Sequence, residues 1–123
     1  MKYIKLYEEK IAIFENNFEV EFKKSLKKYI VWYVPDLEVP ANILIIEIFD
    51  VYDSGNVELQ LLYEYKKNDD KIKKLNFEKI LTSEPIIFTE KERILYQSDN
   101  LENCIEYVNN YGHAIHFSKT YNL

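Results

Sequence analysis

ILIIEIFDVY (residues 43–52) and VELQLLYEY (residues 57–65) flank the tetrad Asp53-Ser54-Gly55-Asn56, and this stretch decides the fold. Both segments are rich in β-branched and aromatic residues, and the tetrad is a turn-forming cluster with a glycine able to take positive φ. A β-hairpin is expected. If Asp53 pairs with Asn56, then Ile48 faces Leu61, Ile46 faces Tyr63 and Leu44 faces Tyr65. That places Leu44, Ile46, Ile48, Leu59, Leu61 and Tyr63 on one buried face. Glu47, Phe49, Glu58, Gln60 and Glu64 then fall on the other. A slip of two residues would preserve this sidedness, because side chains alternate with period two.

Upstream, Phe14, Phe18, Phe22, Leu26, Ile30 and Tyr29/Tyr33 recur at steps of three and four, which predicts a helix over residues 14–33. Asn16 with Glu19 resembles a capping box, acids precede lysines along the segment, and Pro35 ends it. Its β-branched end, Tyr29 to Val34, also suits an extended chain. Lys2 to Phe14 reads as one or two strands. Downstream, Leu75 to Leu81 alternates as a strand would, although Ile72, Leu75 and Lys79 also suit a helix, and Ile86–Thr89 with Arg93–Gln97 suggests a second hairpin around Glu90-Lys91. Asp99 with Glu102 is expected to cap a second helix, with Leu101, Cys104, Ile105, Val108 and Tyr111 on one face. Gly112 is expected to stop that helix, followed by a last strand at His113–Phe117. Together these elements predict a single α+β domain over residues 1–123, with a mostly antiparallel sheet and two helices packed on one face.

Composition narrows function by exclusion. The chain has 123 residues, 47% of them hydrophobic and 15% aromatic, enough to form one buried core. Its net charge of −5 disfavours a nucleic-acid binder that neutralises phosphates. With only Gly55 and Gly112, no glycine-rich phosphate cradle can be built. No apolar run approaches a membrane span. Met1–Lys5 lacks the apolar core of a secretory leader, and the single Cys104 has no disulfide partner within the chain, so a cytoplasmic protein is expected.

The reactive residue types form no recognisable site. On the expected last strand His113 and His116 would point to opposite faces, and too few other ligands remain to close a zinc tetrahedron. Cys104 lies on the apolar stripe of its helix and reads as a core thiol rather than a nucleophile. No cofactor and no metal are expected. The 11 tyrosines suit both a large core and a protein interface.

In its size, acidity and want of catalytic apparatus the chain resembles the small cytoplasmic immunity proteins of bacterial toxin–immunity pairs. The resemblance is one of class and carries no motif. It implies a non-enzymatic protein that binds a toxin domain, often a basic nuclease, stoichiometrically. Two other readings stand beside it: a small enzyme or small-molecule binder with a pocket between sheet and helices, and an acidic nucleic-acid mimic. For a basic protein partner the expected surface is Glu47, Phe49, Asp50, Asp53, Glu58 and Glu64, with the acids steering a cationic domain and Phe49 serving as an apolar anchor.

Overall fold

The segment Tyr29–Val34, YIVWYV, is β-branched or aromatic throughout and has no polar face to offer solvent. A strand buried on both sides uses such a run better than a helix, which would turn part of it towards water. In the computed structural model, which describes residues 24–35, 42–67, 71–86 and 90–121, it is strand β1 at the centre of a sheet. The expected helix over residues 14–33 is therefore corrected at its end. Lys24 and Ser25 are helical, Leu26 packs on the core, and the rest of that prediction, with Phe18 and Phe22, lies outside the described residues. The strands expected within Lys2–Phe14 lie outside them too.

Strand β2 (Asn42–Val51) and strand β3 (Val57–Lys66) form the expected hairpin. Gly55 takes φ 88° in the turn, where the Gly55 amide donates to the Tyr52 carbonyl at 2.8 Å and the Tyr52 amide to the Asn56 carbonyl at 2.9 Å. The register differs from expectation. Ile48 faces Leu59 and Ile46 faces Leu61, a two-residue shift that keeps both partners on the same face. Beyond Ile46 a bulge leaves Leu62 unpaired, so that Ile45 faces Tyr63, Leu44 faces Glu64 and Ile43 faces Tyr65. One extra residue reverses the alternation. Tyr63 therefore leaves the face shared by Leu44, Ile46, Ile48, Leu59 and Leu61, and Glu64 leaves the face of Glu47 and Glu58. A second shift between Ile48 and Asp50 leaves Phe49 as the extra residue.

Two short strands, β4 (Lys73–Lys74) and β5 (Ile80–Leu81), pair with β3. Only Ile80–Leu81 of the expected strand Leu75–Leu81 is extended into the sheet. Strand β6 (Ile94–Ser98) follows a 3-10 turn at Lys91–Arg93. It pairs with β1, and residues 87–89 of its expected hairpin partner Ile86–Thr89 lie outside the described set. The described sheet is antiparallel in the order β4-β3-β2-β1-β6, with β5 beside β3.

The helix α1 (Leu101–Tyr121) starts where Asn100 Oδ1 accepts the Glu102 amide at 2.9 Å. Asn100 is thus the cap. Its expected holder, Asp99, instead accepts the Lys28 amide at 3.1 Å. The helix continues through Gly112, so His113–Phe117 is helical and not a strand. Gly112 does not take positive φ. A Cβ there would lie 3.3 Å from Tyr65 Cε1, so the missing side chain lets helix and sheet approach.

The architecture is an antiparallel six-stranded sheet with one C-terminal helix among the described residues, in place of two helices on one face. The sheet has a core on each side. Cys104 and Val108, flanked by Leu101 and Ile105, pack on Val31, Tyr33, Ile43, Ile45 and Tyr65. Ile30, Trp32, Ile46, Val51, Val57 and Leu59 form a second cluster on the opposite face.

Candidate functional site

Helix α1 crosses its face of the sheet obliquely. Near its start Cys104 Sγ lies 3.8 Å from the Tyr29 carbonyl, at the beginning of β1. Near its other end His116 Nε2 lies 3.0 Å from the Tyr65 carbonyl, close to the end of β3. Among the described residues, that path leaves the hairpin end of β2 and β3 uncovered on the helix side. Glu47, Glu58 and Gln60 each alternate with residues of the second cluster and so point towards the helix side. Asp50 and Leu81 are the cross-strand partners of Glu58 and share its face. Phe49 projects from the bulge beside them.

Several exposed apolar side chains lie at or near this corner, with others at Ile80, Tyr111 and Phe117. Phe77 is 55% and Leu81 62% exposed, and Phe49 and Tyr52 are also open to solvent. Gln60 Nε2 donates to the Phe77 carbonyl at 2.7 Å and ties that segment to β3. The acids are held in part by local partners. Lys28 Nζ lies 3.8 Å from Glu47, and the Tyr52 hydroxyl donates to Glu58 at 3.3 Å. Desolvation, then the Glu58 and Asp50 charges, push the Tyr52 phenol above its ordinary pKa and keep it a donor. Over the Phe49 ring sits the Lys79 ammonium, 4.0 Å from the centroid. A cation on an aromatic face beside carboxylates is the contact a basic partner would make.

Of the residues expected at a partner surface, Glu47, Phe49, Asp50 and Glu58 come together, and Asp53 lies exposed in the adjoining turn. Glu64 does not join them. It stands opposite Leu44 on the other face and pairs with Lys66 at 3.8 Å. Sequence reasoning missed Tyr52, Phe77 and Leu81. Phe77 lies between polar Asn76 and Glu78 as a half-buried strand position would, but it falls outside β5, and Leu81 ends that two-residue strand.

The candidate reactive groups sit in the core. Burial pushes the Cys104 thiol up to about 11, against the smaller lowering effect of its hydrogen bond with the Ser98 backbone. Burial also holds His116 below the ordinary imidazole value, and the neutral ring donates its Nε2 proton to the Tyr65 carbonyl. His113 is exposed one turn earlier. Among the described residues no group of three or more His, Cys, Asp or Glu side chains is placed to hold a metal ion. None of their helices is long and apolar enough to cross a membrane.

A hollow of about 190 Å³ lies on the face opposite α1, lined by Trp32, Leu44, Leu61, Ile86 and their neighbours. Its polar contributor, Thr82, is engaged, accepting from the Val57 amide at 2.9 Å and donating to the Glu84 carbonyl at 2.9 Å. The hollow can shelter apolar atoms but presents no converging polar groups.

No family model, no curated protein and no solved structure matches the chain.

Proposed function

We propose that this protein is a binding module for a basic protein domain, acting stoichiometrically and without turnover, as small cytoplasmic immunity proteins act on toxins. The observation that carries this reading is the sheet corner that α1 leaves open. The exposed side chains of Phe49 and Leu81 stand there with Glu47, Asp50 and Glu58, and Gln60 ties the Phe77 backbone to the same edge. Exposed apolar surface rimmed by charge is the ordinary anatomy of a recognition patch. The Lys79 ammonium on Phe49 supports the sign of the partner, because it shows that this ring accepts a cation and an incoming lysine or arginine can take the same place. The division of the acids between two faces weighs against a nucleic-acid mimic, which needs one continuous anionic surface.

The test is association kinetics with a basic toxin domain encoded beside the gene in its native host. Charge reversal at Asp50 and Glu58 is expected to slow association by about tenfold at low salt, with the difference shrinking as salt rises. Glu64→Lys, on the opposite face, should leave the on-rate within about twofold. Equal effects from Glu58→Lys and Glu64→Lys would remove the open corner as the binding surface. Turnover by the purified protein, abolished by one substitution that leaves it folded, would remove the binding-module reading itself.

A further inference from the structure

On the far side of the molecule from the open corner, α1 overhangs β6. Tyr96 is the cross-strand partner of Val31 and so shares the helix face of the sheet. The Tyr107 ring stacks on it, with centroids 4.6 Å apart and planes 4° from parallel. Tyr111, one turn later, leans against Tyr107 at 5.1 Å and 51°. Asn103, Glu106 and Asn110 occupy the same flank of the helix at the same spacing, and the six side chains line a concavity of about 270 Å³. Tyr111 is 54% exposed, so its ring is offered to solvent, whereas Tyr96 and Tyr107 also pack against the helix-side core.

The chemistry of this lining is one-sided. Tyr96 and Tyr107 cover one face of each other, Tyr111 offers the exposed ring with its negative quadrupole, and Glu106 adds a carboxylate with no ion pair among the described residues. The two asparagines supply amide oxygens and N–H donors. None of the six residues is cationic, so a phosphate-bearing ligand would find no counter-charge beside the Glu106 carboxylate. We infer that this Tyr96–Tyr107–Tyr111 concavity is a second recognition site, which takes an arginine side chain of a protein partner. The planar guanidinium stacks on the exposed Tyr111 ring and directs its fork of N–H donors at Glu106. A lysine ammonium would meet the same charge but lacks the plane and the fork. The inference rests on the reading of the protein as a binding module, yet it concerns a surface apart from the acidic corner and is tested apart from it.

The test uses the full-length isotopically labelled protein and a short acetylated, amidated peptide carrying one arginine between glycines. A matching peptide has neutral citrulline in place of arginine. Resonances of Tyr107, Asn110 and Tyr111 should move with the arginine peptide, and the citrulline peptide should bind about tenfold more weakly. Glu106→Gln and Tyr111→Leu, both at exposed positions, should each weaken the arginine peptide by about the same factor while leaving the remaining spectrum unchanged. Equal response to both peptides, or no response at millimolar peptide, would overturn the assignment. So would shifts of these resonances by a cello-oligosaccharide but not by the arginine peptide, which would make the site a sugar platform. Shifts confined to Phe49 and Glu58 would also overturn it and leave the proposed function standing.

Discussion

Gly112 offers a direct measurement of how closely α1 approaches the sheet. In an open helix interior, replacing glycine with alanine stabilises by about 1 kcal/mol. Here the new Cβ would stand 3.3 Å from Tyr65 Cε1, 3.4 Å from Tyr65 Cδ1 and 3.4 Å from Val108 Cγ1. The Tyr65 ring must give by a few tenths of an ångström, and it is buried and stacked on His116 at 5.4 Å. Moving a held side chain away from its rotamer costs about 0.5–1.5 kcal/mol. The two terms nearly cancel, so Gly112→Ala should lie within about 1 kcal/mol of the parent. Gly112→Leu has nearly the same helix propensity as alanine but drives more atoms into Tyr65. Overpacking of that kind costs about 1–3 kcal/mol, so the leucine variant should be clearly the weaker of the two. Exposed Asn109 is the control, where alanine and leucine should be alike and slightly stabilising. The assay is urea unfolding followed by fluorescence of the buried Trp32, with midpoints compared at constant m. If both Gly112 variants were stabilised as at residue 109, the close approach would be refuted. An equal loss of about 1 kcal/mol for both would restore a left-handed glycine cap.

Other perturbations separate the structure from simpler alternatives. His116 has a folded pKa below its ordinary value, so its contribution to stability is complete above about pH 6.5 and is lost as pH falls through the folded value. Urea midpoints should therefore fall on acidification below that point, and less steeply in His116→Gln; identical slopes would show that another group titrates. Ile45→Ala should destabilise by about 2–5 kcal/mol, because Ile45 is 1% exposed in the helix-side core. A one-sided hairpin would put it in solvent, and a loss under about 0.5 kcal/mol would favour that arrangement. The Cys104 thiol should resist an aromatic disulfide reagent in the native protein and react in urea, whereas fast native labelling would contradict its burial.

Particular residues explain what was legible in the sequence. The turn at Gly55 and the two strands beside it were, because glycine, turn formers and β-branched runs all act locally. The bulges at Leu62 and Phe49 were not. An inserted residue has no signature inside an apolar run, and it alone moved Tyr63 and Glu64 to new faces. Ile43–Ile48 is nearly continuous in apolar residues, which is the mark of a strand buried on both sides, and alternation over the hairpin concealed it. YIVWYV fits the helical and the extended period equally, and pairing with β2 and β6 decides between them. Gly112 was misread because a glycine can serve a left-handed turn or a close approach, and one letter does not separate the two. At the candidate surface, Glu47, Phe49 and Glu58 followed from sidedness, and Asp50 and Asp53 from their nearness to the turn. Phe77 and Leu81 required the sheet edge. The tyrosines at 96, 107 and 111 are conspicuous in number, but the docking of α1 on β6 is what gathers them.

Strand β1 acquires its two neighbours at very different chain distances. β2 follows it closely, whereas β6 arrives only after β3, β4 and β5 have been passed, with Tyr29 meeting Ser98. Closing so large a loop costs entropy before any contact repays it, and long-range pairing of this kind slows folding. A chain emerging from a ribosome can form the β1–β2–β3 meander while residues 94–121 are still unmade. Through that interval Val31, Tyr33, Ile43, Ile45 and Tyr65 await the helix that will cover them. Nascent apolar surface of this sort invites self-association. The rate at which residues 67–93 are translated therefore sets how long the half-made sheet is exposed to its own copies, and slower synthesis across that stretch lowers the yield of folded protein.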